Sequence, residues 1–395
     1  MRFLYVSFVS DTPKYWGILK KIAGQTKGVA RLGWEAAYLC VQNGAVTLNR
    51  EGFPPVCRRF PKGLRWRAWI RAVTGEICGF IREGKYDAVY IKGFLATPYG
   101  LRAASAAKRA NPECRVVYEI ATYPYWSEYR RFFRLDVKTR NFRSFLGHLL
   151  ETAQHFLSAP RMKRAVDAVA VFGEPIRRVW GIPAVTIGNG ISPGSVRPAG
   201  KTAPEGGKIR LLGVVGTSVT HGYDRVLRGL ARYRADPAGG KPEVVFDIVG
   251  ENETIRELKE LTSSLSIGDR VRFLGYRDSR GLDRLYASCD AAVSCLGGYL
   301  LGHRYLCPLK SREYCAAGIP FLYAYEDDLP PDAPFALKLP NDPSPVEIGA
   351  VVRFVENCRR RPEIYGQERE FALQHYDWKT IMKRVLDFAA AASEK

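Results

Sequence analysis

The chain has 395 residues, 46 % of them hydrophobic and 25 % charged, and a formal net charge of +20. That length allows two ordinary domains with separate cores. The composition excludes a disordered chain, and the absence of any run of 18 apolar residues excludes a spanning helix. Nine cysteines without a CxxC pair point to reduced thiols and a cytosolic address; five histidines without HxxxH spacing argue against a metal site. Residues 1–200 hold 32 Lys and Arg against 13 Asp and Glu, a net +19, whereas 201–395 hold 28 against 27, a net +1. The first half is therefore built to meet something anionic.

In chain order, the apolar opening Met1–Ser10 is cut short by Asp11 and Thr12 and reads as a buried strand, not a signal peptide. Ile18, Ile22, Val29 and Leu32 give residues 17–33 a helical stripe. Trp66, Trp69, Val73, Ile77 and Phe80 fall at helical spacing among arginines, and a third basic segment, 129–145, continues as a long helix to about residue 158. These aromatic and basic segments fit either core packing under a solvated face or a surface resting on anionic lipid; a nucleic-acid groove lacks any supporting motif. Further strands are expected at 88–91, 116–120, 168–172 and 185–187, with Glu119 near a strand end.

The Pro- and Gly-dense stretch 191–207 reads as a linker. Beyond it, strands at 209–215, 244–249, 271–274, 291–295 and 321–325 alternate with helical segments, which calls for a second parallel sheet. Gly216, Thr217 and His221 follow the first of these strands in a glycine turn that opens a helix, and Gly250 ends the second. The most informative stretch is 296–320. A glycine loop containing Gly298, His303 and Arg304 leads into a short helix that starts near Pro308 and ends at Gly318 and Pro320. Lys310 and Arg312 near that start, with the first-turn amides, suit phosphates; Glu313 would repel phosphate and suits a ribose diol. Asp327 and Asp328 read as a solvated loop.

The strings Val249-Gly-Glu251, Ile267 to Gly275, Leu285 to Val293 and Lys310-Ser-Arg-Glu-Tyr-Cys-Ala-Ala-Gly-Ile-Pro320 resemble the donor domain of GT-B glycosyltransferases, most nearly family 4. Lys20-Lys21-Ile22 with Gln25, Leu32 to Glu35, Tyr118 to Tyr125 and Asn189-Gly-Ile191 resemble the same fold's first half. The resemblance implies an α/β architecture of two Rossmann-like domains with parallel sheets facing an interdomain cleft. Its parts would be an acceptor and membrane-facing domain at 1–190, a linker at 191–207, a nucleotide-sugar donor domain at 208–376 and a helix at 377–395 crossing back to the first domain.

The activity it implies is retaining transfer, by a hexosyltransferase, of a sugar from a nucleoside diphosphate to an acceptor hydroxyl. A lipid-linked saccharide at the inner face of the cell membrane is the expected acceptor, in surface polysaccharide or glycolipid synthesis; no cofactor or metal is required. Glu313 corresponds to the second glutamate of the family's Glu-x7-Glu motif, which holds the ribose. The first glutamate's place is taken by Tyr305, and the family's Arg and Lys after the glycine turn are Thr217 and His221 here. Lys310, with Arg304 or Arg312, is then expected to supply the positive charge, and Glu119 to position the acceptor. A GT-B nucleotide-sugar epimerase and a non-catalytic membrane-bound partner protein are the alternatives.

Overall fold

The computed structural model describes residues 1–12, 15–200, 207–216, 219–237 and 240–393. It divides into two units: residues 1–192 with 377–395, and residues 193–376.

The first unit contains β1 (Arg2–Ser10), α1 (Trp16–Ala30), β2 (Glu35–Gln42), β3 (Ala45–Arg50), β4 (Val56–Arg59), α2 (Trp66–Gly84) and β5 (Ala88–Gly93). It continues through α3 (Pro98–Ala110), β6 (Arg115–Tyr123), α4 (Trp126–Lys138), α5 (Phe142–Met162), β7 (Ala168–Gly173), β8 (Arg178–Val179) and β9 (Ile182–Thr186). The strands form one sheet in the order β4-β3-β2-β1-β5-β6-β7-β9-β8. The centre is parallel, as the sequence predicts, but both edges are antiparallel: β2–β3–β4 at one end and β8 against β9 at the other.

Helices cover both faces of this sheet. On one, Val73, Ile77 and Phe80 of α2 and Ala103 and Ala107 of α3 pack on Leu4, Val89 and Val116. Thr97 starts α3 by accepting the amide of Gly100, with Pro98 in the first turn. On the other face, α1 lies beside α12 (Trp378–Ser393), whose Met382, Val385 and Leu386 join Phe3, Tyr5, Ile22 and Tyr90. Glycine is needed in α1 where α12 crosses it. A Cβ on Gly24 would lie 2.8 Å from the Trp378 ring, and one on Gly28 would lie 2.6 Å from the Trp378 backbone. The Trp378 amide donates to Ile191 O at 3.0 Å, and Arg31 pairs with Asp377 at 2.7 Å. The last helix therefore belongs to the first unit. At the start of α2, Trp66 stacks on Trp69 at 5.1 Å and stays exposed, while Val73, Ile77, Phe80 and Ile81 further along the helix are buried.

The second unit runs β10 (Ile209–Val214), α6 (Asp224–Ala235), β11 (Val244–Val249), α7 (Glu253–Ser264), β12 (Val271–Phe273), α8 (Ser279–Ser288) and β13 (Ala291–Val293). Then come α9 (Leu309–Ala317), β14 (Phe321–Tyr323), β15 (Ala336–Lys338), α10 (Ile348–Arg360) and α11 (Glu363–His375). The order β12-β11-β10-β13-β14-β15 is parallel throughout. Asn252 and Asp278 cap α7 and α8 through their side chains. The chain leaves β10 toward β11, returns on its other side at β13, and so reverses direction between β10 and β13. Ligands of open α/β sheets bind beyond the strand ends at such a reversal. Of the expected linker, residues 193–200 lie in this unit, where the Ala199 amide donates to Ala317 O at 2.8 Å; residues 201–206 lie outside the described residues.

Candidate functional site

The segments after β10 and β13 are joined at the reversal. The amides of Leu296 and Gly297 donate to His221 O and Thr220 O, each at 2.9 Å. Backbones come so close here that residue 222 must be glycine. Its φ is +61°, and a Cβ would lie 2.6 Å from Gly297 N. The buried Tyr223 hydroxyl lies 3.2 Å from Val214 O and 2.9 Å from Val293 O, bridging the ends of β10 and β13. Arg225, equally buried, donates to Leu296 O and to Ser344 O at 2.7 Å each. Asn341 closes the glycine loop: it accepts from the Tyr299 amide at 2.9 Å and donates to His303 O at 3.0 Å. The His303 amide in turn donates to Gly298 O at 3.0 Å.

Into this frame α9 sends Lys310. Its Nζ lies 3.0 Å from Val214 O, 2.6 Å from His221 Nδ1 and 3.5 Å from the Tyr223 hydroxyl. The Gly216 amide donates to His221 Nε2 at 2.8 Å, so that nitrogen carries the lone pair and the neutral ring has its proton on Nδ1, directed at Lys310. Burial, with the Lys310 charge beside it, pulls the His221 imidazole down to about 3. Burial also lowers the Lys310 ammonium. A neutral ring with its Nδ1–H toward Nζ disfavours the ammonium in the same direction as burial does. Among the described residues no carboxylate pairs with Lys310.

The other expected residues divide. Gly216 lies in this cluster, and Asn252 Nδ2 donates to its carbonyl at 2.8 Å. Gly250 is beside it with φ +134°, where a Cβ would lie 2.9 Å from Val215 O. Gly298 is buried in the loop, and Arg304 is exposed, with no ion pair among the described residues. Glu313 is half-buried; burial, with the Glu313 carboxylate nearby, pushes up the phenol of Tyr286. Pro308 is the N-cap of α9 rather than its first residue, and Gly318 ends the helix at φ +69°. Thr217 lies outside the described residues.

Three expectations are corrected. Arg312 is not open to a diphosphate. It is fully buried, donates to Asp327 at 2.9 and 2.6 Å and to Asp328 at 2.7 Å, and lies 3.9 Å from the Tyr376 ring centre. Asp327, its side chain buried, is thus an anchor of α9 and not part of a solvated loop, whereas Asp328 is exposed as expected and meets Arg312 from the surface. Replacing Arg312 with alanine is expected to cost about 3 kcal/mol, because Asp327 would stay buried without its partner; urea unfolding of the second unit measures it. Glu119 does not face an acceptor. It is fully buried in the first unit and takes donors from Tyr5 (3.0 Å), Tyr90 (2.9 Å), Lys21 (3.2 Å), Lys92 (2.8 Å) and Gln25 (3.3 Å). Tyr223, Arg225 and Asn341 were not singled out from the sequence. Apart from Val214 O, 9 residues from Tyr223, their partners lie 70 residues or more away along the chain, except His303 O and Tyr299 N beside Asn341, at 38 and 42 residues.

Residues 202–322 match the family described as glycosyl transferases group 1. No curated protein matches the chain in sequence. Solved structures match it over its whole length. Sucrose-phosphate synthase from Thermosynechococcus elongatus has a TM-score of 0.62 at 13 % identity, over 98 % of each chain. A glycosyltransferase from Rickettsia africae has a TM-score of 0.62 at 11 % identity, over 100 % of this chain and 99 % of its own. UDP-GlcNAc 2-epimerase from Methanocaldococcus jannaschii has 0.53 at 12 %, over 98 % and 100 %. At these identities the likeness carries the fold. The chain therefore has the GT-B glycosyltransferase fold, and residues 202–322 are similar to the glycosyl transferases group 1 model.

Proposed function

We propose that the protein is a retaining hexosyltransferase of the family 4 type. It moves a sugar from a nucleoside diphosphate to an acceptor hydroxyl on a lipid-linked saccharide at the cytoplasmic face of the membrane, in surface polysaccharide or glycolipid synthesis. The observation that supports this most directly is Lys310 Nζ, held 3.0 Å from the end of β10 beside the glycine turn and the start of α9. A diphosphate at that point would meet Lys310, the exposed guanidinium of Arg304 and the first-turn amides of α9, which no side chain caps. Glu313, four residues beyond the α9 start, is the residue to hold the ribose.

In the reaction the bond between the sugar's anomeric carbon and the diphosphate oxygen breaks, and the acceptor oxygen bonds to that carbon. The acceptor proton passes to the leaving diphosphate. Negative charge grows on the diphosphate, and the Lys310 ammonium, favoured by that charge, stabilises it. The first unit, with its net positive charge, takes the acceptor. No cofactor enters the scheme.

Thermal unfolding with UDP, GDP, ADP and CMP tests the donor site. One diphosphate at about 100 times its dissociation constant is expected to add about 2.7 kcal/mol. Glu313→Ala and Lys310→Ala should both lose that effect. No shift with any nucleotide ends the transferase reading and leaves a non-catalytic role. The likeness to an epimerase supports a second reading, conversion of the nucleotide sugar itself. Incubation without acceptor separates the two, since epimerisation needs none.

A further inference from the structure

The first unit carries a helix pair whose outer face is inverted with respect to water. Its second member, α5, has 21 residues, about 30 Å of helix. Phe142, Leu146, Leu149, Leu150, Phe156 and Leu157 recur on it at the three- and four-residue spacing of one helical face, and all six are exposed. Phe142 is 75 % exposed and Phe156 62 %, so the stripe runs from one end of the helix to the other. The face turned inward is the one that would ordinarily be apolar. There His155 Nδ1 accepts from the Ala96 amide at 3.1 Å, and Ser158, Ala159 and Met162 are buried. The helix is therefore fixed in place by its inner face, and its apolar residues are turned outward.

The partner helix α4 is locked to α5. His148 and Asp136 meet at 2.6 Å, Tyr129 donates to Glu151 at 2.8 Å, and Trp126 stacks on Phe156 at 5.7 Å. Around the turn between the helices stand Arg130, Arg131, Arg134, Lys138, Arg140 and Arg143. All six are exposed, and none makes an ion pair among the described residues. Leu135 and Val137 lie among them, 51 % and 67 % exposed. No helix of the described residues is long and apolar enough to cross a membrane. Exposed apolar side chains on α5 and exposed cations on α4, the turn and the start of α5 suit a bilayer interface, with the helix in its plane and the cations at the headgroups.

We propose that the α4–α5 hairpin is the membrane-docking element, and that its partner is the surface of a bilayer containing anionic phospholipid. The proposal rests on the reading of the acceptor as lipid-linked. Charge chooses this occupant over a second copy of the chain, because two hairpins face to face would set six cations against six. An anionic bilayer instead neutralises the cations while it covers the stripe. The surface charge also gives the excess of +19 in residues 1–200 a use that the donor chemistry of the second unit does not supply.

Co-sedimentation of the full chain with vesicles tests this. Wild type is expected to pellet with phosphatidylglycerol–phosphatidylcholine vesicles, far less with phosphatidylcholine alone, and to be released by salt. Leu146→Glu with Leu149→Glu and Phe156→Glu should reduce binding at least about tenfold. Arg131→Ala with Arg134→Ala should reduce it by roughly thirtyfold on anionic vesicles. This second variant keeps the test open if the first does not fold. Two results would overturn the proposal: wild type that stays in the supernatant with anionic vesicles, or a solution dimer, seen by light scattering, that the stripe substitutions split. Stabilisation by nucleotide is read on the same proteins. It should survive both sets of substitutions, so loss of docking and failure of the transferase reading are told apart.

Discussion

Glu119→Gln is expected to destabilise the first unit by about 3–5 kcal/mol, the cost of leaving buried charges without their partner. Two ammonium groups depend on this carboxylate. Lys21 Nζ is 3.2 Å and Lys92 Nζ 2.8 Å from Oε1, and their side chains are only 8 % and 12 % exposed. Burial would raise the Glu119 carboxyl, but the charges of Lys21 and Lys92 and the hydrogen bonds of Lys92 and Tyr90 outweigh it and hold the group well below the usual carboxylate range. With the folded value depressed, the stabilisation is present above the ordinary value of about 4.5 and is lost as pH falls below it. Urea unfolding at neutral pH should show the loss in full, and the difference between wild type and variant should shrink under acid. Glu119→Gln with Lys21→Met should recover part of the loss, because one unpaired charge is removed. Nucleotide stabilisation of the second unit should persist in both variants. A loss below about 1 kcal/mol would mean that the cluster is open to water, and a structural role for Glu119 would then be wrong.

The parallel strands were legible because each is a short apolar run rich in β-branched residues, buried on both faces. The edges were less legible for identifiable reasons. β2 and β3 form a hairpin through Asn43-Gly44, with φ of +49° and +73°, the backbone that such a pair favours. The signal was present in the sequence, but the helical series on either side masked it. β15 has three residues and takes its partners from β14, so nothing local marks it. The site divides along similar lines. At Gly250 and Gly298 a Cβ would lie 2.9 and 3.0 Å from backbone oxygens, whereas the nearest atom to one on Gly216 would be His221 Nε2 at 3.7 Å.

The charges near the start of α9 were harder to assign, and helical geometry explains why. Residues two apart on a helix point to nearly opposite sides, so Lys310 and Arg312 cannot serve one anion together. The structure gives Lys310 to the end of β10, while Arg312 turns to Asp327 and Asp328. Which of the two would face the site depended on partners 15, 16 and 96 residues away, and no local pattern carries that. His221 and Lys310, 89 residues apart, likewise become one unit only when α9 is set against the turn after β10. A basic side chain beside the glycine turn is thus brought in from a different helix, where burial disfavours its charged form.

Lys310→Met is accordingly expected to lower the turnover rate for transfer by about 10²–10³, the range found when one preorganised donor to a developing anion is removed. The side chain keeps its length and apolar stem, so α9 and the frame of Tyr223, Arg225 and Asn341 should remain intact, and the melting temperature without ligand should change little. A second readout follows from the charge state. Lys310 Nζ faces His221 Nδ1–H, and burial holds the ammonium below its ordinary value. A diphosphate beside Nζ favours the charged form, so its binding raises that value and draws a proton from solvent. Calorimetric titration of the stabilising nucleotide, in buffers of different ionisation heat and across a pH series, should therefore show net proton uptake at the pH where Lys310 titrates in the free protein. The uptake should vanish in Lys310→Met and persist in Glu313→Ala wherever binding can still be measured. Uptake that persists without Lys310 would assign the proton to another group, and turnover within about tenfold of wild type would remove Lys310 from the chemistry.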